Sequence, residues 1–213
     1  MRTGVLIMAK APLPGRVKTR LAVLLGDHGA ADLQAALIAH TVAWAAQAAD
    51  VVSLAYAPVG AAASFAEFVP DHVALFPQRG ADLGARMQNA CADAGDRHSG
   101  PLAVIGTDAP LLGPASLDAA FTEIAEGADA CLIPALDGGY VLLGLATPDP
   151  AAFAIPSDAW GGSEVCALTL AALRRRGLRT SVLAPLPDLD TPADALALRR
   201  HPRCPPALAK VLT

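Results

Sequence analysis

Residues 4–20 read GVLIMAKAPLPGRVKTR, and how they are parsed decides the fold. The apolar run at 4–8 predicts a short buried strand. Two prolines and a glycine follow, and they keep the chain non-helical until about Val17. The next helix is therefore expected to begin near Lys18-Thr19-Arg20. The loop between carries Lys10, Arg16, Lys18 and Arg20, and no acid precedes Asp27. The whole chain has three lysines, two of them in this loop. A solvated basic face would be balanced by acids, so the loop is read as facing an anion. Helix-start N–H groups at Lys18 and Thr19, with Gly15 allowing the turn, would cradle a phosphate. Neither G-x-x-x-x-G-K-[ST] nor G-x-G-x-x-G is present, so the cradle belongs to neither of those nucleotide-binding types.

Outward from this stretch, β-rich runs alternate with helical ones. Strands are expected at 51–57, 73–76, 102–105, 130–134, 139–145 and 180–183, and helices at 27–49, 61–69, 83–94, 116–126, 163–176 and 191–200. Asp82 and Thr191 stand as N-caps, the latter followed by Pro192 at the first helical position. Such alternation predicts an α/β fold with a mostly parallel central sheet covered on both faces. No linker or repeat interrupts it, so residues 1–213 are read as a single domain. Trp44 and its apolar helix face are read as either core or a homodimer surface.

Composition narrows the function. The chain is 54% hydrophobic and 17% charged, but no apolar run approaches the roughly 18–20 residues of a membrane span. The start has no signal-peptide pattern, and a cytoplasmic protein without membrane contact is expected. A net charge of −4 argues against nucleic-acid binding. Cys91, Cys131, Cys166 and Cys204 are far apart and read as reduced and structural, with no zinc-type spacing.

In a parallel sheet ligands bind beyond the carboxyl ends of the strands, which singles out further loops. Residues 77–87 place Gln78, a donor and acceptor suited to a base edge, before Gly80, Asp82 and Arg86; Arg86 could pair with Asp82 one helical turn back. Residues 105–110 (IGTDAP) hold Asp108 at a strand end. A carboxylate there suits Mg²⁺, which takes one or two carboxylates together with phosphate oxygens. Asp137-Gly138-Gly139-Tyr140 forms a glycine turn with two polar handles. Asp190 sits at the start of the last helix and would complete a two-carboxylate metal site if it lies near Asp108.

Together and in order, KAPLPGRVKTRL, QRGADLGARM, GTDAPLL, ALDGGYVLLGL and DLDTPADAL resemble the GT-A (nucleotide-diphospho-sugar transferase) fold over about residues 3–200. They are most similar to an uncharacterised bacterial transferase family, distantly similar to 2-phospho-lactate and molybdenum cofactor guanylyltransferases. The resemblance implies a three-layer α/β/α domain with a Rossmann-like nucleotide-binding half. It also implies Lys10, Gly15, Arg16, Lys18, Thr19, Gln78, Gly80, Asp82 and Arg86 around the nucleotide, and Mg²⁺ or Mn²⁺ on Asp108 and Asp190. Lys18, Arg20 and Asp108 would be catalytic. Asp137, Gly138, Gly139, Tyr140, Trp160 and Ser163 would face a small-molecule acceptor. Two departures stand out: prolines replace most glycines of the opening loop, and GTDAP is not a D-x-D.

The expected reaction is metal-dependent nucleotidyl transfer from an NTP to a small phosphorylated acceptor. Glycosyl transfer from a nucleotide sugar is the alternative, and a non-catalytic nucleotide-binding protein the third reading. Nucleotidyl transfer requires no side-chain nucleophile, which fits the absence of any Ser/His or Cys/His constellation in the sequence.

Overall fold

A computed structural model describes residues 2–212. Its seven-stranded sheet runs in the order β3-β2-β1-β4-β6-β5-β7. The strands are β1 (Gly4–Lys10), β2 (Val51–Ala57), β3 (Ala74–Pro77), β4 (Leu102–Ile105), β5 (Ala130–Pro134), β6 (Tyr140–Leu145) and β7 (Thr180–Val182). The β6 strand alone runs antiparallel, paired to both β4 and β5. The 135–139 turn can reverse the chain directly, whereas each parallel pairing needs a helical crossover.

Both faces are covered, and β1 shows why. Val5, Ile7 and Ala9 point into one core, with Ile38 and Val42 of α1 (Ala22–Ala48) and Leu117 and Phe121 of α3 (Pro114–Ala125). The alternate residue Leu6 points into the other, with Met87, Ala90 and Cys91 of α2 (Leu83–Gly95) and Leu173 of α4 (Val165–Arg175). A strand buried on both faces reads as a continuous apolar run, which is how GVLIM looks in the sequence. A third cluster joins Leu33 and Leu37 of α1 to Leu198 of α5 (Pro192–Arg200) and Leu208 of α6 (Pro206–Val211). The three-layer α/β/α expectation holds.

Several local expectations are corrected. Residues 18–20 do not start a helix: Lys18 has φ 47°, and α1 begins at Ala22 and breaks at Gly26 (φ 68°) before its main run. Residues 61–69 contain a 3₁₀ turn, Ala62–Phe65, in place of a helix. The short helix α6 was not foreseen. Trp44 is 8% exposed and belongs to the core, which removes it as a dimer surface. The four cysteines are unpaired and, Cys204 apart, buried. Among the described residues no helix is long and apolar enough to cross a membrane.

Candidate functional site

A pocket of about 540 Å³ opens at the carboxyl ends of β1, β3 and β4. It is lined by Lys10, Arg16, Lys18, Thr19 and Arg20 from the cationic loop, by Gln78 and Arg86, by Asp108, and by Asp137, Gly139, Tyr140, Trp160 and Asp190. Segments more than 100 residues apart in the chain thus meet, as a parallel sheet dictates.

The opening loop is built on turns. Leu13 N–H donates to Ala11 O and Arg16 N–H to Leu13 O, with Gly15 at φ 71° between. Gly15 itself does not line the pocket; its turn brings Arg16 there. The backbone N–H groups of residues 17–20 donate to no acceptor among the described residues. Lys18 is the loop's buried cation, its side chain only 4% exposed. Its Nζ lies 2.6 Å from Asp108 Oδ1 and donates to Leu189 O at 2.5 Å. Leu189 N–H in turn donates to Asp108 O at 2.8 Å, which ties the two carboxylate-bearing segments together.

Asp108 and Asp190 therefore flank one short stretch of backbone. Arg20 Nη1 donates to Asp190 Oδ2 at 2.7 Å. Each carboxylate has a second oxygen beyond its cation. Both side chains are substantially exposed to the pocket, 60% and 43%. Two hard-oxygen donors beside an anion cradle fit Mg²⁺ or Mn²⁺, whose remaining ligands are waters and substrate phosphates. Among the described residues, no group of three or more His, Cys, Asp or Glu side chains is placed to hold a metal ion.

Other sequence-predicted residues fall into place differently. Gln78 is buried at 9% exposure, and its Nε2 donates to Ala55 O (2.9 Å) and Ala9 O (3.3 Å). Its donor is consumed by the sheet, which leaves the amide oxygen for a ligand; the expected two-way base reading is corrected. Arg86 Nε bonds the backbone oxygen of Asp82 at 3.1 Å, not its carboxylate, which caps Ala85 N–H at 2.8 Å. Asp82 and Gly80 lie off the pocket lining. Tyr140 presents its ring, but its hydroxyl is sealed beside Thr169 without a hydrogen bond of good geometry. Burial pushes that phenol far up, so it cannot act as the polar handle expected. Trp160 packs on the start of α2, where any side chain at Gly84 would strike the indole. Gly138 and Ser163 line no pocket surface and instead press backbone to backbone.

Gln34 and Asp188 line the pocket and were not singled out. Gln34 is 3% exposed, and its Nε2 donates to Thr107 Oγ1 (3.1 Å) and Lys10 O (3.3 Å), bracing the end of β1 opposite Gln78. A glutamine between Leu33 and Leu37 on a mainly apolar helix face was its signal. Asp188 lies two residues before Asp190, on the same side of the chain, while Leu189 between them is fully buried. Period-two alternation in DLD carries that information.

Burial pushes the Asp188 carboxyl up, and the charges of Asp137, Asp194 and Asp190 add to the effect. A raised carboxyl pKa means that the folded state disfavours the charged form. That penalty is complete at neutral pH and fades as pH falls through the raised value toward the unfolded one. Asp188→Asn should accordingly raise the Tm in EDTA at pH 7, by a margin that shrinks on acidification. Calorimetry at pH 7 showing no gain would mean that the acids are not crowded in solution.

The chain matches over residues 21–161 a family described as "Uncharacterized protein conserved in bacteria (DUF2064)". It belongs to that family. The match begins just after the cationic loop. No curated protein matches the chain. Among solved structures it resembles a protein from Desulfovibrio desulfuricans G20 assigned to the nucleotide-diphospho-sugar transferases. That likeness is 27% identical with a TM-score of 0.88, and covers 100% of this chain and 97% of the other. It also resembles 2-C-methyl-D-erythritol 4-phosphate cytidylyltransferase from Thermus thermophilus, at 17% identity, TM-score 0.54 and full coverage of both chains. A third neighbour is CMP:2-keto-3-deoxy-manno-octonic acid synthetase complexed with CTP, at 13% identity and TM-score 0.55, covering 94% of this chain and 100% of that one. These neighbours are transferases, and the family member described here has their fold.

Proposed function

We propose that this protein is a metal-dependent nucleotidyltransferase that moves NMP from an NTP to a small phosphorylated acceptor. One observation carries the reading: the cationic 10–20 loop and the Asp108/Asp190 pair face the same pocket at the sheet's ligand edge. An acceptor phosphate oxygen attacks the α-phosphorus, the bond to the β-phosphate oxygen breaks, and pyrophosphate leaves. Mg²⁺ or Mn²⁺ held by Asp108 and Asp190 would neutralise charge on the phosphates. The free N–H groups of residues 17–20 and Lys18 hold the triphosphate in place. Leu83, Met87 and Trp160 give the base an apolar wall, and the Gln78 oxygen offers its edge an acceptor. Arg16 and Arg20, exposed at the rim, are assigned to the acceptor's phosphate, and the 137–139 turn to the rest of it. The chain's contribution is positioning and fixed charge.

Glycosyl transfer is the second reading, favoured by the name borne by the 27%-identical neighbour. The two differ in product, pyrophosphate against a nucleoside diphosphate. Release of each should be measured across the NTPs and nucleotide sugars, with Mg²⁺ or Mn²⁺ and phosphorylated acceptors. Pyrophosphate release that requires both metal and acceptor is expected. Failure of every NTP to bind or turn over would sink the proposal. Binding indifferent to metal and to Asp108→Ala would identify a non-catalytic nucleotide-binding protein.

A further inference from the structure

We propose that Lys18 is a tethered counter-cation of the metal site. It holds Asp108 until a polyphosphate draws it away, so the divalent ion enters with or after the nucleotide. The inference rests on the reading of Asp108 and Asp190 as the metal pair. The Lys18 ammonium contacts Asp108 Oδ1 at 2.6 Å and Leu189 O at 2.5 Å. These are two oxygens of the environment that a hard cation would seek, on the two segments joined by the Leu189 N–H···O Asp108 bond. A positive charge already there repels a second one and takes up one of few available carboxylate oxygens.

The lysine is held for this position. Lys18 adopts φ 47°, a left-handed conformation that costs a non-glycine residue energy and persists where its surroundings fix it. Leu21 N–H and Ala22 N–H both donate to Lys18 O, at 2.8 and 3.2 Å, which anchors the backbone while the side chain crosses to β4's loop. Arg20 closes the second carboxylate in the same way, 2.7 Å from Asp190, but from an exposed position where screening weakens it. Lys18 is the buried partner and the stronger brake. A triphosphate against residues 17–20 offers the ammonium anionic oxygens in place of Asp108. One carboxylate oxygen is then released at the moment when phosphate oxygens arrive to complete the metal's coordination.

Metal alone therefore binds at a disadvantage. If Lys18 holds Asp108 in about nine molecules of ten, metal affinity falls about tenfold. The test is an Mn²⁺ titration followed by electron paramagnetic resonance, without nucleotide, on wild type and Lys18→Met. Lys18→Met should bind Mn²⁺ about tenfold more tightly, and adding Asp108→Asn should cancel the gain. Unchanged or weaker binding in a folded Lys18→Met protein overturns the proposal.

Should that variant not fold, the wild type suffices. The chain has three lysines, so the Lys18 side-chain ¹⁵N resonance can be assigned. Mg²⁺ alone should leave it in place, and inorganic triphosphate should move it. Displacement by millimolar Mg²⁺ alone, or no response to triphosphate, would refute the counter-cation role. A protein that turned over no nucleotide would defeat the transferase reading, while the Mn²⁺ comparison could still succeed.

Discussion

Asp108→Asn is expected to lower turnover by about 10²–10³-fold, the scale on which one fixed electrostatic group at a reacting centre acts. The substitution keeps the shape of the side chain and removes its charge. It also removes half the proposed metal site and the partner of Lys18. The fold should survive, because the Asp108 side chain is 60% exposed and an asparagine oxygen in its place can still accept from the Lys18 ammonium. Lys18 keeps Leu189 O as an acceptor. The Tm should then move by a few degrees at most, which separates a chemical defect from an unfolding one. Lys18→Ala should differ in kind: it removes a cation from the phosphate cradle, so nucleotide affinity falls together with turnover. Steady-state kinetics on both variants, with thermal melts as control, make the comparison. Asp108→Asn retaining activity within about threefold of wild type would remove the carboxylate from the chemistry.

The parts of this site legible in the sequence are those where one residue type can do one thing. Lys10, Arg16, Lys18 and Arg20, with no acid among them, were read as facing an anion, and all four line the pocket. The parallel-sheet rule then carried Asp108 and Asp190 to the same edge. What the sequence hid was the direction of amphipathic side chains. Gln78 and Tyr140 each combine polar atoms with an apolar body, and the fold turned their donors inward, onto Ala55 O and toward Thr169. Gln34 was camouflaged in a helix whose buried positions, Thr41 apart, are otherwise apolar. The helix start at residue 18 was misplaced because basic residues after a proline loop fit a first helical turn as well as a cradle. The φ of Lys18 decides between them, and its side chain is held by Asp108 and Leu189 O, far away in the chain. Trp44 shows the same dependence: its burial follows from α1 crossing the sheet.

Gly138→Ala should be among the most damaging single methyl additions to this chain, costing about 3 kcal/mol or more. Two terms add. Gly138 has φ 97°, where any L side chain is strained by roughly 1–2 kcal/mol. The added methyl would also overlap the Ser163 carbonyl group, a backbone obstacle that no rotamer change relieves. The turn cannot simply yield. Ala135 N–H donates to Gly139 O at 3.0 Å, Gly139 N–H to Asp137 Oδ1 at 2.9 Å, and Cys166 N–H to Gly138 O at 3.0 Å. Relief requires parting the 135–139 turn from the start of α4, and with it moving the Trp160 segment that covers Gly84. Gly161→Ala is the matched control: its φ is 86°, but nothing lies within 4 Å of the added methyl. It should cost only the backbone term. Denaturant melts of the two variants isolate the packing contribution by subtraction. A Tm loss of roughly 6–12 °C or more for Gly138→Ala, against about 2–8 °C for Gly161→Ala, is expected for a chain of this size. Equal losses would mean that the turn and the Ser163 segment part freely. In that case the 137–139 turn belongs to a mobile wall of the pocket, not to a fixed one.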